Sequence, residues 1–338
     1  MEVELFTTIP ESIKSDRTQF VDELKRISIQ SENHGYKGIL VYSDNRLADP
    51  WIVTELILNH TRKLLPMVAL QPVYMHPYTV AKKISSIALI HGRRISLNLV
   101  AGGYINDLKA LGDTTDHDRR YDRLIEYTEI IQQLLTSPGP VTYEGEFYNV
   151  KNLKLEPKIP ADLLPLYYLS GSSKAAKNAA DKLNAKLIQY PEPIKDGEES
   201  SWNVSGIRIG ILARPTNDRA WSDAHERFPA TRIGEISHQL AKKTSDSEWH
   251  KNLSNHSVNG HVSEEKSVYW LGPFEHYHTF CPYLVGEYNE VAEALSGYIK
   301  AGCTTCIVDT PISELELQST MNVFDRVHEK FKKERTLQ

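Results

Sequence analysis

The residues with the clearest chemical potential lie in a turn that reads Ser170-Gly171-Ser172-Ser173. The four residues before Ser170 are apolar or aromatic and favour a strand, and the Ala-rich spacing from Lys174 onward predicts a helix. A helix that begins at Ser172 or Ser173 directs free backbone N–H groups and the positive end of its dipole at whatever lies over the strand end.

Two serine hydroxyls add further donors at this turn, so a phosphate monoester is a natural ligand there. The alternative is that Ser172 only caps the helix N-terminus, which is a common structural role of serine. The local sequence leaves both interpretations open, and the surrounding elements must help to decide between them.

Strand-like and helix-like segments alternate along nearly the whole chain, which favours a parallel sheet wound by helices. Helical patterns cover residues 16–34, 51–60, 78–91 and 116–135, and they resume after each later strand. Eight strand-like runs fit an α/β fold of the closed (β/α)8 TIM-barrel type, in one domain over residues 1–338. No G-x-G-x-x-G follows the first strand, which disfavours a dinucleotide-binding sheet. The eight runs are residues 3–8, 38–43, 66–71, 95–100, 166–169, 186–190, 206–213 and 306–309.

Three irregular segments interrupt this alternation. Residues 138–160 carry two short β-like pieces, which predict an inserted hairpin. Residues 191–205 are too polar and broken for a full helix, so we expect the sixth helix to be short or missing. A long segment near residues 222–282 is either a lid or substrate wall at the barrel mouth, or an insertion without such a role.

Composition excludes several classes of protein. The net charge of −5 gives no case for nucleic acid, and no apolar run approaches the roughly 20 residues that span a bilayer. The start of the chain lacks the features of a secretion signal. Three cysteines do not make a disulfide framework, and Cys303 and Cys306 lack the second pair that a zinc site would need. We therefore expect a cytoplasmic protein without a metal site.

Several motifs in order resemble the bacterial luciferase-like flavin monooxygenases, and most closely their alkanesulfonate monooxygenase branch. The similarity covers nearly the whole chain and weakens around residues 191–205 and 227–280. The motifs are GRRISLNLVAGG (92–103), HDRRYDRLIEYTEIIQQLL (117–135), YEGEFYNV (143–150), YLSGSS (168–173), GIRIGILARPTNDRAW (206–221) and YLVGEYNEVAEALSGYIKAGCTTCIVDTP (283–311).

The resemblance implies a monooxygenase that uses reduced FMN, made by a separate NAD(P)H:flavin reductase, and O2 to oxygenate a small organic substrate. It implies a homo-oligomer, a dimer or tetramer. Asn98 and Ala101 would lie near the isoalloxazine ring, His117 and Tyr121 would line the cofactor pocket, and the turn serines Ser172 and Ser173, with Ser170 and Gly171, would hold the phosphate.

The chain departs from the alkanesulfonate pattern at four positions. Leu47 stands where that branch has a cysteine, Gly210 where it has a histidine, Tyr277 or a neighbour where it has a mobile-loop arginine, and Thr310 where it has a tyrosine. Arg208 is kept, and its guanidinium could bind a carboxylate or sulfonate through paired hydrogen bonds, or be satisfied by a neighbouring carboxylate. We therefore expect an altered substrate or reaction.

Strand ends supply the remaining candidates. Gln71 ends an otherwise apolar strand, which points to the functional rim of a barrel. His278, with His276, could enter from the lid as a proton donor because histidine titrates near neutral pH. Thr7, Tyr42 and Asp309 are weaker candidates, since each could equally be a packing or capping residue. Two other functions stay open: an F420-dependent hydride-transfer oxidoreductase, and a flavin-binding relative without catalysis.

Overall fold

The computed structural model describes residues 3–14, 16–194, 205–244, 253 and 267–336. The strands are β1 (Glu4–Thr8), β2 (Gly38–Val41), β3 (Leu65–Leu70), β4 (Ser96–Leu99), β5 (Val141–Glu144), β6 (Asn149–Leu153), β7 (Leu166–Ser170), β8 (Lys186–Gln189), β9 (Gly206–Arg214), β10 (Tyr269–Trp270), β11 (Tyr283–Glu287) and β12 (Thr305–Val308). The helices are α1 (Arg17–Asn33), α2 (Pro50–His60), α3 (Pro77–His91), α4 (Ile105–Ala110), α5 (His117–Thr136), α6 (Lys174–Leu183), α7 (Asn217–Arg227), α8 (Arg232–Thr244), α9 (Gly272–Glu275), α10 (Tyr288–Lys300) and α11 (Glu314–Thr336).

The fold is a (β/α)8 barrel, as the sequence predicts. Eight of the strands follow one another in the order β12-β1-β2-β3-β4-β7-β8-β9, and pairing of β9 with β12 closes the ring. Each predicted barrel strand is present within a few residues of its expected bounds. The alternation of short apolar strands with amphipathic helices was therefore a sufficient signal for the architecture.

By its internal contacts the chain divides into two compact units, which are described separately. Unit A contains Glu11–Lys25 and Leu40–Leu187, and unit B contains Met1–Pro10, Arg26–Ile39 and Ile188–Gln338. Nothing in this division tests whether the chain behaves as a single domain, so that expectation stays a prediction.

Unit A is built on the parallel strands β3, β4 and β7, with Asn98 of β4 in register with Ala69 on one side and Tyr168 on the other. Helix α5 packs against this sheet because its apolar residues recur every three or four positions. Its buried face comprises Tyr121, Leu124, Tyr127, Ile130, Ile131, Leu134 and Leu135.

The predicted hairpin is present in unit A as the antiparallel pair β5 and β6. The Glu126 carboxylate of α5 holds its turn by accepting hydrogen bonds from the backbone N–H groups of Glu146, Phe147 and Tyr148 at 2.8–3.1 Å. These bonds fix the insertion to the strongly amphipathic helix that precedes it.

An ion pair stabilises the loop that precedes α5. The Asp113 carboxylate accepts two hydrogen bonds from Arg123, the shorter at 2.6 Å, and two more from Thr115. Burial alone would raise the pKa of Asp113, but the hydrogen bonds from Arg123 and Thr115 outweigh it and lower the pKa to about 2.

Unit B is organised by the nine-residue strand β9. Residues 206–209 of β9 pair with β12, and residues 210–214 pair in parallel with β11. Strand β11 lies beyond the long segment of residues 222–282 and was not predicted as a strand. It has five residues, YLVGE, and it joins the sheet through its parallel pairing with the distant residues 210–214 of β9.

Parts of the expected insertions lie outside the described residues. In the segment 191–205 the structure describes 191–194, which are not helical, and Ser205, so the prediction of a short or missing sixth helix rests on residues that are not described. In the 222–282 segment, α8, β10 and α9 are described. All three cysteines are free and buried, as expected for structural thiols.

Candidate functional site

Three candidate residues of unit A share one face of the sheet, at the carboxyl ends of neighbouring strands. Asn98 pairs with Ala69 on β3 and Tyr168 on β7. Gln71 and Ser170 lie two residues further along those strands, and side chains two residues apart point to the same face. The register therefore places Gln71, Asn98 and Ser170 together at the rim where barrel enzymes have their active sites.

A hydrogen bond fixes the orientation of the Asn98 amide. The Ser170 hydroxyl donates to Asn98 Oδ1 at 2.8 Å, and the Asn98 side chain is buried. With its oxygen engaged by Ser170, Asn98 has its NH2 group left for another partner. Asn98 is therefore a hydrogen-bond donor toward a ligand on this face.

The turn after β7 has no room for a side chain at Gly171. A Cβ there would lie 2.7 Å from the Ala176 Cβ and 2.8 Å from the Tyr121 hydroxyl. The backbone of the turn is consequently held close to α5 and to the first turn of α6. Only glycine permits this approach.

The two turn serines have different roles. Ser173 is the N-cap of α6, and its hydroxyl accepts a hydrogen bond from the Ala176 N–H at 3.1 Å. The Ser172 Oγ is also buried, but it has no hydrogen-bond partner within the described part of the chain. The capping role that sequence reasoning offered as the alternative for Ser172 therefore belongs to Ser173.

This arrangement fits a phosphate monoester. A buried hydroxyl without a partner costs roughly 1–3 kcal/mol, and a ligand that accepts from it beside the helix N-terminus would remove that cost. The α6 N-terminus contributes further N–H donors and a favourable dipole. The residues that could hold a phosphorylated cofactor are thus Ser172 and the backbone of Gly171 and α6.

Two other predicted cofactor residues of unit A, Tyr121 and His117, lie at this corner. The Tyr121 hydroxyl lies beside Gly171, and the His117 ring contacts the Tyr121 ring edge-on with centroids 5.4 Å apart. His117 Nδ1 lies 2.8 Å from Asp118 Oδ1. Ala101 is buried just after β4.

In unit B, Arg208, the third residue of β9, lies near Tyr190, which follows β8, and Cys281, which precedes β11. Its guanidinium carbon lies 5.8 Å from the centroid of the Tyr190 ring. Burial raises the pKa of Cys281 to about 12; the Asp309 charge contributes in the same direction, and Arg208 opposes it. Cys281 is therefore a neutral thiol and not a nucleophile at physiological pH.

Tyr283 connects β11 to the residue that follows β12. Its hydroxyl donates to Asp309 Oδ2 at 2.8 Å, and Asp309 Oδ1 accepts from the Thr310 N–H. Tyr283 is opposite Gly210 across the β9–β11 pairing, and a Cβ at Gly210 would lie 2.2 Å from its ring. The Tyr283 ring thus occupies the space above the glycine.

The histidines of the predicted lid make contacts within unit B. His278 Nε2 lies 2.8 Å from the Pro229 carbonyl oxygen, and His276 Nδ1 accepts from the Thr231 N–H at 3.4 Å. Thr7 likewise has a buried partner, the Ser31 hydroxyl at 2.9 Å. These bonds describe packing and leave the predicted proton-donor role of His278 a prediction.

Among the described residues, no group of three or more His, Cys, Asp or Glu side chains is arranged to hold a metal ion. Nor does any helix in that part of the chain have the length and apolarity needed to cross a bilayer.

Comparison with known proteins decides the family. A family model described as luciferase-like monooxygenase matches residues 1–305. The chain belongs to the luciferase-like monooxygenase family. It is 33% identical over 307 residues to the 4-(gamma-L-glutamylamino)butanoyl-[BtrI acyl-carrier protein] monooxygenase BtrO of Niallia circulans, covering 88% of this chain and 89% of that protein.

Two solved structures share the fold of this luciferase-like monooxygenase. The oxygenating constituent of 3,6-diketocamphane monooxygenase from Pseudomonas putida, in complex with FMN, has a TM-score of 0.67 and 15% identity, with 94% and 97% of the chains covered. An F420-dependent secondary alcohol dehydrogenase in complex with an F420-acetone adduct has a TM-score of 0.66 and 18% identity, with 97% and 99% covered. The family resemblance is confirmed, and the alkanesulfonate branch stays a prediction.

Two residues beside Gln71 were missed from the sequence. Tyr74 and Asn45 lie in the loops after β3 and β2, and the Tyr74 hydroxyl donates to Asn45 Oδ1 at 2.8 Å. Both follow strand ends at the functional rim, which was an available signal. Tyr283, in contrast, meets Gly210 and Asp309 only through long-range pairing, and no local pattern could have indicated it.

Proposed function

We propose that this chain is an FMNH2-dependent, two-component monooxygenase, supplied with reduced FMN by a separate NAD(P)H:flavin reductase, that oxygenates a small organic substrate with O2. The buried, unpartnered Ser172 hydroxyl beside the α6 N-terminus carries the proposal, because it suits the terminal phosphate of FMN. Family membership supports the oxygenase chemistry.

In this proposal, reduced FMN, when bound, supplies the electrons that activate O2. Ser172, the Gly171 backbone and the α6 N-terminus bind the phosphate. Asn98, oriented by Ser170, donates to the ring through its NH2 group, and Tyr121 with His117 forms the wall beside the turn. Ala101 packs near the ring.

Arg208 is proposed to bind an anionic group of the substrate, since a guanidinium forms paired hydrogen bonds with a carboxylate or sulfonate. An acyl chain attached to a carrier protein is the first substrate class to test, because the relative from Niallia circulans acts on such a substrate by its name. Gln71 is assigned to the cofactor face, which is the face of the sheet that it shares with Asn98 and Ser170. His278 is assigned to proton donation from the predicted lid, residues 222–282.

Anaerobic titration with reduced FMN and with F420, followed by O2 consumption in the presence of a flavin reductase and NADH, tests the proposal. We expect binding of reduced FMN and oxygen uptake that is coupled to a carrier-linked acyl substrate. Binding of F420 without reduced FMN would instead identify a hydride-transfer oxidoreductase. FMN binding without substrate-dependent oxygenation across a broad panel would identify a non-catalytic relative.

Cellular placement and assembly complete the proposal. We expect a cytoplasmic enzyme that works as a dimer or tetramer, as the resemblance implies. Size-exclusion chromatography with light scattering measures the oligomeric state, and a monomeric mass would contradict that part.

A further inference from the structure

Three hydrogen bonds in unit A connect the backbone of Asp107, through Asn45 and Tyr74, to the side chain of Gln71. Asn45 Nδ2 donates to the Asp107 carbonyl oxygen at 3.2 Å, the Tyr74 hydroxyl donates to Asn45 Oδ1 at 2.8 Å, and Gln71 Nε2 donates to the Tyr74 oxygen at 3.5 Å. The three side chains come from the loops that follow β2 and β3, and Asp107 belongs to α4.

The direction of each of these three hydrogen bonds is set by the first. A backbone carbonyl can only accept, so the Asn45 amide must direct its NH2 group at Asp107 and its oxygen at Tyr74. Tyr74 must then donate to Asn45, which leaves its oxygen to accept from Gln71. The Gln71 NH2 group is therefore directed at Tyr74, and its carbonyl oxygen is directed away.

The protonation state of the Tyr74 hydroxyl supports these hydrogen-bond directions. Burial raises the pKa of Tyr74, and the carboxylates of Asp107 and Asp44 raise it further, so the phenol keeps its proton. Ser43 also hydrogen bonds to the Tyr74 side chain and lowers that pKa, as a donor to its oxygen does. Tyr74 thus remains a donor to Asn45 throughout the physiological range.

The Gln71 Oε1, for which no hydrogen bond to another described residue is observed, lies on the face that Gln71 shares with Asn98. This oxygen is 3.5 Å from the position that a Cβ on Gly102 would take, in the loop after β4. The register of β3 and β4 gives Gln71 and Asn98 this shared face. The face therefore offers an acceptor at Gln71 beside a donor at Asn98.

We propose that Asn45 and Tyr74 are positioning residues that hold Gln71 as a hydrogen-bond acceptor for an N–H group of the flavin ring. The inference rests on the proposed FMN site. A flavin ring presents a carbonyl oxygen next to an N–H, which is the complement of a donor at Asn98 and an acceptor at Gln71. Asn45 and Tyr74 act through Gln71 and do not themselves touch the ring.

The test is a double-mutant cycle on the affinity for reduced FMN, measured by anaerobic calorimetry. Tyr74→Phe and Gln71→Leu should each weaken binding about fivefold, the worth of one hydrogen bond. The double variant should be no weaker than Gln71→Leu alone, because Tyr74 acts only through Gln71. Asn45→Ala should reproduce the effect of Tyr74→Phe.

Tyr143→Phe is the matched control, since the Tyr143 hydroxyl, on hairpin strand β5, donates to Glu129 of α5 at 2.6 Å and takes no part in the hydrogen bonds that lead to Gln71. Tyr143→Phe should leave the affinity for reduced FMN unchanged. Combined with Gln71→Leu, it should give the same affinity as Gln71→Leu alone. Repeating the titrations with oxidised FMN identifies the N–H involved, because only the reduced ring carries the one at position 5. A loss confined to reduced FMN and a loss in both forms each support an acceptor role.

Additive losses from Tyr74→Phe and Gln71→Leu, or a Tyr74→Phe affinity equal to that of the control, would overturn the inference while leaving the FMN site intact. If the unaltered chain binds no reduced FMN at all, the proposed function fails and the inference fails with it. Chemical denaturation of each variant confirms that it is folded at the temperature of the titration.

Discussion

Replacing Ser172 by alanine tests whether the turn at residues 170–173 binds a phosphate or has only a structural role. The Ser172 Oγ is buried and unpartnered within the described chain, whereas the Ser173 Oγ caps α6. Ser172→Ala removes no hydrogen bond from the protein alone, so stability should stay unchanged or rise by up to about 1 kcal/mol. Ser173→Ala removes the cap and should cost about 1 kcal/mol.

The effect of Ser172→Ala on binding should be larger. A hydroxyl that donates to a phosphate forms a charge-assisted bond worth roughly 1.5–3 kcal/mol. A loss of about 2 kcal/mol corresponds to roughly thirtyfold weaker binding of FMN. Riboflavin has the same ring without the phosphate, so its affinity should not change.

The assay is fluorescence quenching of oxidised FMN and riboflavin by the unaltered protein and by the Ser172→Ala and Ser173→Ala variants. Denaturant titrations give the free energy of unfolding for the same samples. Equal weakening of FMN and riboflavin by Ser172→Ala, or no weakening of either, would refute the assignment of the phosphate to this turn. A stability loss in Ser172→Ala like that of the capping variant would refute the division of roles.

Three further predictions concern the packing and charges that support the fold. Gly210→Ala should destabilise the protein by about 2 kcal/mol in denaturant unfolding, but far less in a Tyr283→Ala background, because the added Cβ would meet that ring at 2.2 Å. Glu316→Ala should cost about 3 kcal/mol, since it removes the buried carboxylate that lies 2.6 Å from the half-buried Arg227 guanidinium and leaves that cation with only the Thr310 carbonyl among its described hydrogen-bond partners; a change below about 1 kcal/mol would contradict this. Asp113 contributes stability above its ordinary pKa near 3.8, which is lost as pH falls toward about 2, so the stability gap between the unaltered protein and Asp113→Asn should narrow over that range.

The sequence predicted most of the fold because its elements are locally encoded. Alternating apolar runs, amphipathic helices such as α5, and the hairpin between residues 138 and 160 each carry their own periodicity. Helix α4 was missed because it has only six residues, and strand β11 was missed because it joins the sheet through pairing with residues 210–214 of β9, which are distant in the chain. Pairing between distant segments leaves no trace in a local window.

The candidate site was predictable to the level of residues but not of roles. The turn at 170–173 was found from its glycine and serines, yet the sequence could not tell which serine caps α6. Ser172 and Ser173 are adjacent, so that distinction depends on the backbone conformation, which determines where each hydroxyl lies. The orientation of the Asn98 amide depends on Ser170, which the pairing of β4 with β7 brings into contact with it. The orientation of the Gln71 amide depends on Tyr74, which lies three residues further along the chain and whose hydroxyl donates to the distant Asn45.

Two of the positions that depart from the predicted alkanesulfonate pattern, Gly210 and Thr310, lie in unit B, where their contacts are described. Gly210 replaces the histidine of that branch, and the Tyr283 ring fills the space in which any side chain at that position would lie. Thr310 replaces its tyrosine; the Thr310 hydroxyl donates to the Ile9 carbonyl, and its own carbonyl accepts from Arg227 at 2.7 Å. A histidine introduced at position 210 alone would therefore collide with the Tyr283 ring, so residues 210 and 283 would have to be changed together. Tyr283 and Asp309 form a hydrogen-bonded pair near Arg208, and we propose that the substrate of this chain differs from a simple alkanesulfonate.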